Sequence, residues 1–143
     1  MIVLDTDTLS IYQRPMNPLA MRLRARIAMV PASEEVTTTI ISYEEQTRGW
    51  FGVLAKARSE AQRIEAYLRL LRHLENWRRM NVLSFDEAAC AKFDSLMGSR
   101  IRIGKSDLRI GAICLAHGAL LLSRNLQDFT KIPGLHVEDW TTP

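Results

Sequence analysis

Carboxylates carry most of the chemistry that this chain offers. Asp5 and Asp7 follow an apolar run in MIVLDTDTLS, Glu44 and Glu45 lie in TTTIISYEEQTRG, Asp107 in IGKSDLRIGA and Asp128 in SRNLQDF. Acids gathered within a few ångströms raise one another's pKa, and a divalent cation makes such a cluster tolerable. Oxygen ligands alone call for a hard ion, Mg²⁺ with Mn²⁺ as a substitute, and not for zinc. Sulfur and imidazole offer no competing set. Cys90 and Cys114 sit in apolar, helix-like settings without metal spacing and read as core thiols, while His73, His117 and His136 are scattered.

Each acid also has a plainer use. Asp5 or Asp7 caps a short helix in TLSIYQ, Asp107 serves a helix N-terminus, and Asp128 caps a turn. What argues for a shared site is where the elements put them. Ile2–Leu4 reads as a short buried strand, and Val36–Ile41 as the most β-prone stretch. Strands are also expected in Asn81–Phe85, in ALLLS and in LHVEDW. Between them fall helices over Pro18–Met29, from a Ser42 cap to Gly49, over Arg58–Arg79, from an Asp86 cap to Leu96, and from a Ser106 cap to Gly118. Alternating strands and helices predict an α/β, three-layer α/β/α sandwich with a mainly parallel central sheet of about five strands. Parallel sheets form sites outside the carboxyl ends of their strands, and Asp5, Glu45, Asp107 and Asp128 all fall near such ends.

The length of 143 residues suits one domain, 1–143, with a helical basic arm at about 50–80. The net charge is +3, but the segment from Arg48 to Met80 holds eight Lys or Arg against three Glu. That imbalance fits a polyanionic partner, with a solvated helix face as the bland alternative. No apolar run approaches the roughly 18 to 20 residues of a membrane span, and the N-terminus lacks the pattern of a leader peptide. The expectation is a cytoplasmic protein.

The ordered set of IVLDTDTLS, TTTIISYEEQTRG, IGKSDLRIGAICLAHGALLLSRNLQDF and PGLHVEDW resembles the PIN-domain ribonucleases, in particular the VapC-like toxins of bacterial toxin–antitoxin pairs. The resemblance implies a PIN-like fold and a Mg²⁺-dependent endoribonuclease whose catalytic and metal-holding residues are Asp5, Glu45, Asp107 and Asp128. Glu45, four residues before Gly49, matches the family's helix glutamate better than Glu44 does. Asp7, Ser123 and Asn125 would stand behind these acids, orienting water, phosphate or the carboxylates, and Arg48, Lys56 and Arg58 would bind RNA. The family also implies a cognate antitoxin and a homodimer. Two positions depart from its pattern: Asn125 stands where an acid is common, and Asp7 where Asn is usual.

Two other readings remain open on the residues. One is a PIN-like domain that binds RNA or a partner without cutting, supported by Asn125. The other is a haloacid-dehalogenase-like phosphatase, in which DTDT supplies Asp5 as nucleophile and Asp7 as acid/base.

Overall fold

The computed structural model describes residues 1–15 and 17–143. Five strands form one sheet: β1 (Ile2–Leu4), β2 (Val36–Thr39), β3 (Val82–Leu83), β4 (Leu120–Leu122) and β5 (His136–Glu138). The helices are α1 (Thr6–Gln13), α2 (Pro18–Ala28), α3 (Ile40–Ala55), α4 (Glu60–Trp77), α5 (Glu87–Gly98), α6 (Lys105–His117) and α7 (Leu126–Phe129). The strand order is β3-β2-β1-β4-β5, and every pairing is parallel. This is the expected α/β sandwich.

The three central strands, β1, β2 and β4, are largely buried, and their consecutive side chains point to opposite layers. Val3 and Leu121 enter one apolar layer with Leu108, Ile110, Ile113 and Phe129. Ile2, Leu4 and Leu122 enter the other, with Leu9 and Ile11 of α1, Ala20 and Leu23 of α2, and Trp77 of α4. Sequence periodicity places these elements, whereas several of their ends shift by a residue or two and α3 overruns its expected end by six. Helix α3 is capped by Thr39, whose hydroxyl accepts from Ser42 N–H, and it runs past Gly49 to Ala55. Helix α6 starts at Lys105 after Gly104 with no side-chain cap, so Ser106 lies inside its first turn. Gly118 closes α6 in the left-handed conformation, φ +60°, as expected of a C-terminal glycine. Asp86 caps α5 through Ala89 N–H, also as expected.

Of the two thiols, Cys114 is buried, which pushes its pKa up to about 12, but Cys90 is exposed on α5. The reading of Cys90 as a core thiol is therefore corrected: its turn of α5 faces outward. No helix among the described residues is long and apolar enough to cross a membrane.

Candidate active site at the carboxyl rim

Register sets the site. Leu4 is level with Thr38 on β2 and with Leu122 on β4. The next residues, Asp5, Thr39 and Ser123, therefore stand at one height, Asp5 and Ser123 just past their strands and Thr39 as the last residue of β2. The chain turns from β1 toward β2 on one side, while β4 lies on the other, so the strand order reverses between β1 and β4. A crevice opens at the carboxyl end of such a switch point, and Asp5 stands in it.

Asp5 does two jobs at once. Its Oδ1 accepts the Thr8 N–H at 2.7 Å and caps α1, so the plainer reading of this residue is correct as far as it goes. Its Oδ2 accepts the Ser123 hydroxyl at 2.5 Å. Ser123 Oγ in turn accepts the Asn125 N–H at 2.9 Å, and this fixes the hydroxyl's direction. Asp5 is only 6% exposed, and burial raises its pKa against the opposing pull of these hydrogen bonds. The Thr8 hydroxyl is buried nearby with no well-formed hydrogen bond among the described residues.

The other acids come from helix ends. Glu45, in the second turn of α3, accepts the Thr6 hydroxyl at 2.7 Å across the α1–α3 contact. Asp107 lies in the first turn of α6, where the helix dipole favours a negative charge. Its pKa is nonetheless raised, first by burial and then by the charges of Glu45, Asp5 and Asp128. Asp128 sits on the short α7 and is held below the usual carboxylate range by Lys131, whose Nζ donates to Oδ1 at 2.8 Å, and by Asn125. The Asn125 amide joins the two groups, donating to Asp128 Oδ2 at 3.1 Å and to Asp107 Oδ2 at 3.4 Å. Asn125 is the N-cap residue of α7, but it uses its side chain on these acids and not on the helix.

The structure thus gathers Asp5, Glu45, Asp107 and Asp128 electrostatically, with Ser123 and Asn125 among them. Among the described residues no three His, Cys, Asp or Glu side chains already converge as a closed ligand set. Glu45 leans to Thr6, and Asp128 to Lys131. Glu44 is exposed and paired with Arg48. Asp7 turns outward, exposed, with Oδ2 3.5 Å from an Arg124 guanidinium nitrogen. Its charge still contributes to raising the Asp5 pKa, but the phosphatase alternative loses the second acid it needs beside the first. Lys56 and Arg58 lie beyond the far end of α3, about 16 Å along the helix from Glu45. Sequence reading missed Thr6 and Lys131, which hold Glu45 and Asp128. A hydroxyl one residue after Asp5 and a lysine three after Asp128 were the available signals.

The donor set suits a hard divalent cation. Among the described residues no Lys or Arg pairs with Asp5, Glu45 or Asp107, so their charge is left for an external cation to balance. The oxygen-only chemistry is that of Mg²⁺ or Mn²⁺.

The all-parallel five-stranded sheet, in this strand order and with these acids near its switch point, is similar to the PIN-like fold of solved VapC proteins. Over 143 residues the chain is 27% identical to Ribonuclease VapC1 of Haemophilus influenzae strain R2866, with 97% of each chain covered. It superposes on the 2.2 Å structure of VapBC-1 from nontypeable H. influenzae with a TM-score of 0.70 and 26% identity, covering 99% of this chain and 100% of the other. The DNA-bound VapBC structure from Salmonella typhimurium shares the fold, with a TM-score of 0.72 and 24% identity over 97% of each chain. No family model matches the chain.

Proposed function

We propose that residues 1–143 form one nuclease domain, a metal-dependent endoribonuclease acting in the cytoplasm as the toxin of a toxin–antitoxin pair. One observation carries the reading: Asp5, Glu45 and Asp128, each from a separate element, lie near enough to Asp107 for their charges to raise its pKa. The full-length similarity to a protein named a ribonuclease, and to VapBC complexes, supports it.

Asp5 and Asp107 would hold the metal, with Glu45 and Asp128 completing its surroundings. When bound, Mg²⁺ supplies positive charge to the phosphodiester oxygens and acidifies water in its shell. The chain's own residues do the rest. Thr8 N–H and the Ser123 hydroxyl fix the Asp5 carboxylate so that no reorganisation is needed when charge develops. Thr6 holds Glu45 at the α1–α3 contact beside the rim, where its carboxylate would take a proton from water. The Asn125 amide spaces Asp107 from Asp128, and its donor atoms orient water or phosphate once the acids are neutralised. Lys56 and Arg58 add long-range attraction for RNA, and Arg48 adds less because Glu44 pairs with it.

The apolar side chains exposed on α3 and α4, Phe51, Tyr67, Leu71 and Leu74, suit an antitoxin or a second copy in a homodimer. The decisive experiment incubates the purified chain with RNA and Mg²⁺ beside Asp5→Ala and Asp107→Ala. Cleavage that is abolished by chelation and reduced at least about 100-fold in both variants is expected. Variants that cut at the parent rate would overturn the reading.

A further inference from the structure

A cavity of about 630 Å³ lies beside the acid rim, between the end of α1, the middle of α3 and the length of α4. Its position is fixed by a ladder of hydrogen bonds that begins at the site. Thr6, which holds Glu45, accepts the Ser10 hydroxyl on its carbonyl at 2.8 Å. Gln46 Nε2 donates to Ser10 Oγ at 2.9 Å and to Gln13 Oε1 at 3.2 Å. Gln46 Oε1 accepts the Trp77 indole N–H at 3.0 Å. One wall of the cavity is therefore a rigid continuation of the site, and Gln13 stands roughly 10 Å along α1 from Thr6.

Three features of the lining point to one kind of occupant. Arg14 and Arg72 have no carboxylate partner among the described residues, whereas Arg48, Arg63 and Arg69 are each paired with a glutamate. Trp50 is half-buried in the wall, with the Arg69 guanidinium 5.9 Å from its ring centre. Gln13 and Asn76 bring amides, which both donate and accept. The opening is kept by Gly49. Glycine is disfavoured inside a helix, yet a Cβ at this position would meet nothing within 4 Å. No protein atom requires the glycine, and its missing side chain leaves the cavity clear.

Resting on the ribonuclease reading, we propose that this cavity is a nucleotide subsite. It takes one unstacked base of single-stranded RNA flanking the phosphodiester held at the acids. Trp50 stacks on the base, Gln13 and Asn76 contact its edge, and Arg14 with Arg72 pairs with the adjoining phosphate. Sequence-selective cleavage of single-stranded RNA depends on contacts of this kind to splayed bases.

The test uses the full chain and fluorescein-labelled single-stranded RNA homo-oligomers of each base, with binding measured in EDTA and cleavage in Mg²⁺. Gly49→Leu adds bulk to the cavity from a position where a Cβ meets nothing within 4 Å, Arg72→Gln removes a charge from its wall, and Gly49→Ala serves as a small-volume comparator. Gly49→Leu and Arg72→Gln are each expected to weaken RNA binding roughly tenfold. In cleavage the loss should appear in KM, with kcat held within about threefold. Gly49→Ala should be at least as stable as the parent and keep most of its RNA affinity. RNA affinity and KM unchanged in a folded Gly49→Leu would overturn the proposal. Should Gly49→Leu not fold, unchanged values in Arg72→Gln would do the same. Unchanged RNA affinity together with lost capture of an antitoxin from the neighbouring reading frame would make this a protein groove and also overturn it. Failure of the parent chain to cleave any RNA would instead overturn the ribonuclease reading, because the binding arm needs no cleavage.

Discussion

The Ser123 hydroxyl donates to the Asp5 carboxylate across the seam between β1 and β4, joining residues 118 positions apart in sequence. The bond exists because Leu4 and Leu122 are paired in the sheet. A buried carboxylate that loses such a partner is costly, and supporting residues of this kind commonly tune metal affinity by 10- to 100-fold. Ser123→Ala is expected to destabilise the fold by about 1–3 kcal/mol. It should also weaken Mn²⁺ binding roughly tenfold or more, measured by calorimetric titration. An unchanged affinity would show that Ser123 does not set the Asp5 geometry.

Asp107, together with Asp5, contributes to the pH dependence of the metal-free protein. The folded pKa of Asp107 lies above the ordinary value of 3.8, because burial and then Glu45, Asp5 and Asp128 oppose its charge. Between the unfolded and folded pKa values the folded state binds more protons. Stability therefore falls as pH rises through that window and stays lower above it. In EDTA at pH 7, Asp107→Asn should melt at a higher temperature than the parent, and the gap should close near pH 3, where both forms are neutral. Thermal melts across pH 3–8 check this, and a lower melting temperature for the variant at pH 7 would mark Asp107 as structural. With Mg²⁺ present, the same variant should lose RNA cleavage by on the order of 10²–10³.

Asn125 places an amide between two of the acids, Asp107 and Asp128. Asn125→Asp removes the donor shared by Asp107 and Asp128 and adds a like charge beside both. The metal-free variant should be less stable than the parent at pH 7, while Mn²⁺ affinity rises roughly tenfold through the added ligand charge. Melting curves with and without Mn²⁺ measure both effects together. A variant that loses both stability and affinity would assign Asn125 a direct role in holding the ion.

Gly111 tests the packing of α6 against the segment before β5. A Cβ there would lie 2.5 Å from Ile132 Cδ1 and 3.6 Å from Leu135 Cδ2. Ile132 must move to admit it, so Gly111→Ala should cost about 1–3 kcal/mol, read from urea unfolding. Adding Ile132→Val, which shortens the clashing side chain, should recover part of that loss.

Much of this molecule was legible in its residues. Ile2–Leu4 and ALLLS could be read as buried strands because β-branched and aliphatic runs have few other uses in a soluble chain. Gly118 and Asp86 marked helix ends because their chemistry is local. Ser42, Ser106 and Gly49 misled for the complementary reason. Several nearby residues can cap or end a helix, and tertiary packing chooses among them, as it chose Thr39 and carried α3 through to Ala55.

The acids divide along the same line. The sequence by itself determined that Asp5, Glu45 and Asp128 come soon after apolar strands and that Asp107 opens a helix, since that depends only on local pattern. Only the tertiary structure decided which of them share a field. Parallel register puts Asp5 level with Ser123, and the α1–α3 contact brings Thr6 to Glu45. Asp7 is turned away toward Arg124, although it is two residues from Asp5. Asp5 is the extended N-cap, whose side chain folds back onto Thr8 N–H, whereas Asp7 already lies in the first turn of α1. The cavity walled by Trp50 and Arg72 was no more visible, because three helices must pack before Gly49 leaves it open. Composition and local pattern act over a few residues, whereas a site is made by the long-range pairings that the sheet imposes.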